Sequence, residues 1–342
     1  MSLTVGRRYL FVLTGALGDI VRGFALLHAL KMREPSAHVT WLVEDKWRSI
    51  LDLHKGIDHV IVFHRRKGLR GALELFGDLR RTQVDIVLDL QRNFKSGVMS
   101  RVTPALERIG FHRLDGKEGN WLFNTRTISQ HGDSISKTDH YLYFLEALGL
   151  RRPETVRFGL EDIDEETLIK GVLGESASPR IGIVLGSSWR SKDWFTSGYH
   201  RLIELLHQAG DVECVLLGDR SQQRRAEELM DARGDANVKN LVAVTTLSQL
   251  VGVIKSCRVV VGPDSGPGHI AAAVGVPYVT LFGPTNPVRV APYGMERLAV
   301  RVDIGCAPCA RRVCPGLDTL CMRSISPVIV AKRVSEALGA SD

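Results

Sequence analysis

At 342 residues, with 44% hydrophobic and 24% charged side chains, the chain is long enough for two domains with cores of their own. No apolar run nears the ~20 residues of a membrane span, the N-terminus lacks a signal-peptide pattern, and six cysteines are too few for a disulfide scaffold at this length, so the expected setting is the cytoplasm. The net charge of +7 is lopsided: residues 1–152 hold 24 Lys and Arg against 16 Asp and Glu, whereas residues 153–342 hold 21 against 22.

In chain order, apolar runs of strand length at Tyr9–Thr14, His38–Val43, His59–His64, Asp85–Leu90 and Arg108–Phe111 alternate with amphipathic stretches, among them Gly68–Arg81 and Thr138–Leu148. An acidic stretch at 161–166 and a small polar one at 174–179 interrupt the series. It restarts with Arg180–Leu185, Glu213–Leu217, Arg258–Val261 and Tyr278–Phe282. Strands alternating with helices predict parallel sheets covered on both faces. Two such series predict two doubly wound α/β domains facing a cleft, with ligands beyond the carboxyl ends of the strands. The expected division is 1–170, 178–326, and a C-terminal helix over 327–342 that packs back toward the first domain.

Three loops carry the chemistry. The first, "LTGALGDIVRGF" at 13–24, follows a strand and opens a helix. Its glycines, Gly15 and Gly18, lack the spacing of a dinucleotide fingerprint, and Glu44 is the nearest acid for a ribose. Asp19 reads either as a first-turn acid that caps or complements the helix dipole, or as a general base at the mouth of a strand. The second, "GSSWRSKDW" at 186–194, reads as a polar surface loop or as an anion site built from hydroxyls and the compact charge of Lys192. The third, "GPDSGPGHIAAAVGVP" at 262–277, ends a strand and opens a helix with Gly266, Pro267 and Gly268. Such an N-terminus offers backbone amides to an anion. Asp264 and His269 flank it, and an N-cap and a core histidine are the plainer roles for those two. In the first half, the basic residues Arg65, Arg66, Arg92 and Lys95 read as a solvated face or as the contact surface for an anionic partner.

These segments, together with "LFGPTNP" and "CAPCARRVCP", resemble the ADP-heptose:lipopolysaccharide heptosyltransferases, glycosyltransferase family 9, in order and spacing over nearly the whole chain. The resemblance implies a GT-B architecture: two Rossmann-like domains, the first taking the acceptor and the second the nucleotide sugar, with inverting, metal-independent transfer. It implies that Asp19 is the base and that Lys192 is catalytic at the leaving group. Ser187, Ser188, Lys192, Asp219, Asp264, Ser265, Gly266, Gly268 and His269 then serve the donor, Asp219 being the nearest acid for the ribose. Gly15, Gly18, Arg65, Arg66, Arg92 and Lys95 serve the acceptor. The implied partners are an ADP-sugar, a phosphorylated lipid A-linked lipopolysaccharide-core acceptor and the inner face of the cytoplasmic membrane, met as a peripheral monomer with no cofactor and no nucleic acid. Cys306, Cys309, Cys314 and Cys321 have a spacing that a tetrahedral zinc site could use, but reduced structural thiols are the favoured reading. Competing functions are another GT-B enzyme, such as an epimerase or a transferase of a different sugar, and an RNA- or membrane-binding protein that uses the basic first half. The sequence shows no helix-turn-helix or aromatic RNA-binding signature for the latter.

Overall fold

The computed structural model describes residues 6–231 and 237–339. The chain divides into two compact units between Glu161 and Asp162. The first unit comprises β1 (Arg8–Val12), α1 (Leu17–Arg33), β2 (His38–Glu44), α2 (Arg48–Leu51), β3 (His59–Phe63), α3 (Gly68–Arg81), β4 (Ile86–Asp89), α4 (Phe94–Val102), β5 (Glu107–Gly110), β6 (Arg126–Thr127) and α5 (Lys137–Ala147). Its strands pair in the order β3-β2-β1-β4-β5-β6, all parallel.

The second unit comprises α6 (Glu165–Ile169), β7 (Arg180–Val184), α7 (Thr196–Ala209), β8 (Glu213–Leu217), α8 (Gln223–Asp231), β9 (Val238–Asn240), α9 (Leu247–Lys255), β10 (Val259–Pro263), α10 (Gly266–Val274), β11 (Tyr278–Phe282), α11 (Pro287–Val290), β12 (Ala299–Arg301), α12 (Leu320–Arg323) and α13 (Pro327–Gly339). Its sheet runs β12-β11-β10-β7-β8-β9, again all parallel. Read from its own first strand, this is the order of the first sheet: each unit is a doubly wound half-and-half sheet.

The central strands form because their residues are apolar on both faces. Tyr9, Leu10, Phe11 and Val12 of β1 are all buried, as a parallel strand covered by helices on both sides requires. α1 buries Ile20, Phe24, Leu27 and Leu30, and it carries Asp19 in its first turn and Lys31 and Arg33 in its last, as the helix dipole favours. Trp41 of β2 packs against Phe11 and Phe24 at ring-centroid distances of 5.3 and 5.6 Å. A Cβ on Gly23 would stand 2.9 Å from Trp41 and Leu13, so glycine is what lets α1 lie this close to the sheet. In the second unit Trp194 and Tyr199, 5.0 Å apart, anchor a core shared by β7, β8, β10 and β11.

Helix α3 spans the stretch that its apolar spacing predicts, burying Gly71, Leu75 and Leu79. Three short strands, β6, β9 and β12, were not foreseen. They are two or three residues long and exposed in part, so they have no apolar run to betray them. One expectation is corrected. The division falls at 161, not 170, because α6 packs on α9 and so belongs with the second sheet. The C-terminal helix belongs to the second unit: α13 packs on α7, β10 and β11 and buries Val330, Val334 and Ala337 in that unit's core.

Candidate active site

In a sheet of this order the chain leaves the two central strands toward opposite faces, and a crevice opens at their carboxyl ends. In the first unit those strands are β1 and β4. The loop after β1 carries Thr14 and Gly15 into α1; the loop after β4 carries Gln91 and Arg92. The Gln91 carboxamide joins them, its Oε1 accepting from Thr14 N at 2.9 Å, Thr14 Oγ1 at 3.2 Å and Gly15 N at 3.3 Å. Gln91 is seated in turn by Asp89, a fully buried carboxylate at the end of β4, which accepts from Gln91 N at 3.1 Å. Asp89 also accepts from Asn120 Nδ2 at 2.7 Å and Ser96 Oγ at 3.0 Å. Burial pushes the Asp89 carboxyl above its ordinary range, and these donors pull the other way.

Asp19 stands one turn into α1. The helix is capped at Ala16 with no side-chain bond, so Asp19 is not its N-cap. Its Oδ1 accepts instead from Arg22 Nη1 at 2.7 Å and from Lys137 Nζ, on the first turn of α5, at 3.1 Å. Gly15 is pressed against Trp47, whose indole nitrogen would lie 2.9 Å from a Cβ there. That nitrogen is buried and has no hydrogen-bond partner among the described residues. Gly18 is buried in the first turn of α1.

The other expected acceptor residues take different places. Arg92, in the left-handed region with φ of 68°, sets its guanidinium 5.2 Å over the Phe111 ring. Arg65 pairs with Glu44 at 3.2 Å, and Lys46 approaches the same carboxylate at 3.5 Å. Glu44, the nearest acid for a ribose in the sequence, is thus held by two cations. Arg66 and Lys95 are exposed, with no ion pair among the described residues. A concavity of about 950 Å³ beside β3, lined among others by His59, Lys67, Glu74 and Arg81, lies away from the β1–β4 crevice. Its Lys67 and Glu74 already pair with each other, at 2.8 Å.

In the second unit the crevice strands are β7 and β10. The loop after β7 carries Lys192 and the loop after β10 carries Asp264, and the two meet. Lys192 Nζ donates to Asp264 Oδ2 at 2.7 Å and to its carbonyl oxygen at 3.3 Å. Thr285 Oγ1 donates to the same carboxylate oxygen at 2.9 Å. The Lys192 ammonium also lies 4.4 Å over the Trp189 ring. Sequence reading cast Lys192 as a point charge for a ligand and Asp264 as a separate contact; in the structure they are each other's partner.

Asp264 leads into α10, whose N-cap Ser265 makes no side-chain cap: its hydroxyl donates to Pro263 O at 3.1 Å. Gly266 opens the helix, and a Cβ on Gly268 would press on Tyr278 and Pro292 at 3.0 and 3.1 Å. His269 is buried on the same helix. Ser187 Oγ turns back on its own loop, donating to Trp189 O at 3.1 Å, whereas Ser188 is exposed with no hydrogen bond among the described residues. Asp219 lies one strand over, after β8, and caps a short turn by accepting from Ser221 N at 2.7 Å.

The cysteine loop braces this site. Ser191 donates to Arg311 O at 2.6 Å through its hydroxyl and to Arg312 O at 3.2 Å through its amide, and the Arg312 guanidinium lies 5.5 Å over Trp189. Cys306 and Cys309 are exposed, Cys314 is half-buried and Cys321 is buried. Among the described residues no three His, Cys, Asp or Glu side chains are gathered as metal ligands would be.

Sequence reading missed Gln91, Asp89 and Lys137. An acid and a carboxamide closing the apolar strand "IVLDLQ" were the signal for the first two; nothing local marked Lys137.

The fold and the motifs converge with known proteins. The chain is 27% identical over 278 residues to the lipopolysaccharide core heptosyltransferase OpsX of Haemophilus influenzae, covering 81% of this chain and 79% of the relative. It is 26% identical over 319 residues to the lipopolysaccharide heptosyltransferase 1 of Pseudomonas aeruginosa, covering 90% and 87%. The structure of Escherichia coli heptosyltransferase WaaC with ADP superposes with a TM-score of 0.77 at 22% identity, covering 96% of this chain and 99% of that one, and so shares the GT-B fold. The family model described as glycosyltransferase family 9 (heptosyltransferase) matches residues 72–319, from the third helix through the loops after β7 and β10 and the cysteine loop. With two doubly wound sheets, an acid at one crevice and a lysine–aspartate pair beside an uncapped helix at the other, the chain belongs to glycosyltransferase family 9, the heptosyltransferases.

Proposed function

We propose that this chain transfers a heptosyl unit from ADP-heptose to the inner core of lipopolysaccharide, with inversion and without a metal. The first unit supplies the acceptor site and the base, the second the donor site. The acceptor hydroxyl gives its proton to Asp19 while its oxygen bonds the anomeric carbon; the bond from that carbon to the diphosphate breaks and ADP departs. Charge building on the departing diphosphate is met by Lys192, by Ser188 and by the open amides of α10. Ser187, Asp264, Ser265 and His269 line the donor site, and Asp219 meets the ribose.

The observation that carries this reading is the Lys192–Asp264 pair beside the uncapped start of α10, at the sheet's switch point. An anion arriving there has a cation and a helix N-terminus ready for it. A thermal-shift screen of ADP-, UDP- and GDP-sugars, paired with a transfer assay on heptose-free core acceptor, tests it. A ligand at 100 times its Kd stabilises the folded state by about 2.7 kcal/mol, so ADP-heptose is expected to give the largest shift and to be consumed. A larger shift with a UDP- or GDP-sugar overturns the donor assignment.

The same reading makes the protein a monomer that visits the inner face of the cytoplasmic membrane. Its support is the basic surplus of the first half and the surface of α3, where Leu69 and Leu73 are 77% and 63% exposed beside Arg66 and Arg70. No helix among the described residues is long and apolar enough to cross a membrane. Binding to anionic vesicles that weakens with salt, and weakens further on replacing both leucines with Ser, is the expected behaviour.

A further inference from the structure

The charges around Asp19 exceed what is needed to hold it. Arg22 alone, 6% exposed in its side chain and 2.7 Å away, would fix the carboxylate. Lys137 adds a second donor at 3.1 Å from the other helix of the packed α1–α5 pair. Asp19 pulls the Lys137 ammonium upward most strongly, but burial and the nearby charges of Arg22 and Arg92 outweigh it and hold the amine below its ordinary range. Arg92 has no acidic partner within ion-pair distance among the described residues. Asp115, which feels the Arg92 charge, spends its oxygens on His131 N and Gly132 N, both at 2.9 Å, and faces His140 Nε2 at 3.5 Å. Three cations, Arg22, Arg92 and Lys137, thus share this crevice with three carboxylates, of which Asp115 is bound to amides and Asp89 is fully buried and held by Asn120, Ser96 and Gln91. Crowding like charges in a half-buried place is costly, and such crowding gathers where a ligand uses it. On the adjoining loop, the buried Trp47 N–H is a further donor awaiting an acceptor atom.

We propose that Lys137 and Arg92 bind an anionic group, a carboxylate or a phosphate, carried by the acceptor beside its nucleophilic hydroxyl, and that this anion draws Lys137 off Asp19. The inference rests on the reading of Asp19 as base and of the first unit as the acceptor side. While clamped by two cations the carboxylate is a weak base, because taking a proton forfeits both charge-assisted bonds. Once Lys137 turns to the arriving anion, Asp19 loses that charge-assisted bond while keeping Arg22, and the lone pair that Lys137 occupied takes the hydroxyl proton; Lys137 stays an ammonium throughout. Acceptor selection and base activation are then one event, and an uncharged sugar alcohol leaves the base clamped.

The test compares wild type, Lys137→Gln, Lys137→Arg and Arg92→Gln on the native anionic acceptor and on two neutralised forms, one with carboxylates converted to amides and one treated with phosphatase. Wild type is expected to lose roughly 10- to 100-fold in kcat/KM on whichever neutralised form removes the recognised anion, the span of one charge-assisted hydrogen bond, and that arm identifies the group. Lys137→Gln is expected to lose as much on the native acceptor while no longer distinguishing it from the neutralised form. Lys137→Arg keeps the preference, and Arg92→Gln reduces it. An unchanged Tm shift with ADP shows that each variant is folded, and if Lys137→Gln is not, Arg92→Gln carries the same comparison. Variants that keep the wild-type ratio between native and neutralised acceptors overturn the inference alone. A wild-type enzyme that binds ADP-heptose but transfers to none of the three acceptors overturns the proposed function and this inference with it.

Discussion

Replacing Gln91 with Leu keeps the side chain's size and removes its oxygen. Three donors then lose their acceptor: Thr14 N, Thr14 Oγ1 and Gly15 N. At roughly 1 kcal/mol per net hydrogen bond, and with the site only partly buried, the loss is about 2–3 kcal/mol. For a unit of this size that is a fall of roughly 5–10 °C in Tm. The effect on catalysis is separate. Thr14 and Gly15 lead directly into the helix that carries Asp19, and a displacement of about 1 Å at a reacting group costs on the order of 10²-fold. The assay is a melt, a titration with ADP and steady-state transfer on the same preparation. The expected pattern is a lowered Tm, ADP affinity within a few-fold of wild type because the proposed donor residues lie in the other unit, and kcat reduced ten- to a hundred-fold. A Gln91→Leu enzyme with wild-type Tm and kcat would show that the carboxamide does not hold the loop.

Lys192→Ala should lose about 10²–10³-fold in kcat, the size of effect seen when one fixed group opposing developing charge is removed, and should give little or no Tm shift with ADP; near-normal turnover would remove Lys192 from the reaction. His54 gives a pH prediction. It packs 5.1 Å from the Phe24 ring, and burial, with repulsion from His28, lowers its pKa from 6.5 to about 4. The folded state therefore holds it neutral while the unfolded chain protonates below 6.5, so its contribution is complete above that pH and is lost as pH falls toward 4. Its full size is about 3 kcal/mol. Melts between pH 7 and 4.5 should show a steeper acid loss in wild type than in His54→Gln, and parallel curves would contradict the assignment.

What could be read from the sequence follows from where the information lies. Strands β1, β2, β4, β7, β8, β10 and β11 are apolar on both faces and stood out as runs, and the loops after β1, β7 and β10 were recognisable because each strand ends in glycine or small polar residues. The site residues on those loops were legible one by one, but their partners were not. Lys192 and Asp264 are 72 residues apart, Gln91 and Thr14 are 77 apart, and Lys137 and Asp19 are 118 apart. Only the 3-2-1-4 strand order brings the β1 and β4 loops together, and no local spacing encodes it. The basic surplus was legible as a number, but not its distribution: Arg65, Lys67 and Arg70 are spent on Glu44 and Glu74, while Arg22 and Lys137 hold Asp19 and the Arg92 charge acts on Lys137.

The central claim is that Asp19 takes the acceptor's proton, and Asp19→Asn tests it most directly. Asparagine keeps the size, and its carboxamide oxygen still accepts from Arg22 and Lys137, so the fold and the donor site should survive. A carboxamide cannot serve as the base, and a positioned general base contributes typically ~10²–10⁴-fold. The account predicts a folded variant with a wild-type ADP-heptose Tm shift and transfer reduced by at least ~10²-fold. Transfer within a few-fold of wild type, in a variant that folds and binds the donor normally, would place the base elsewhere and contradict the account.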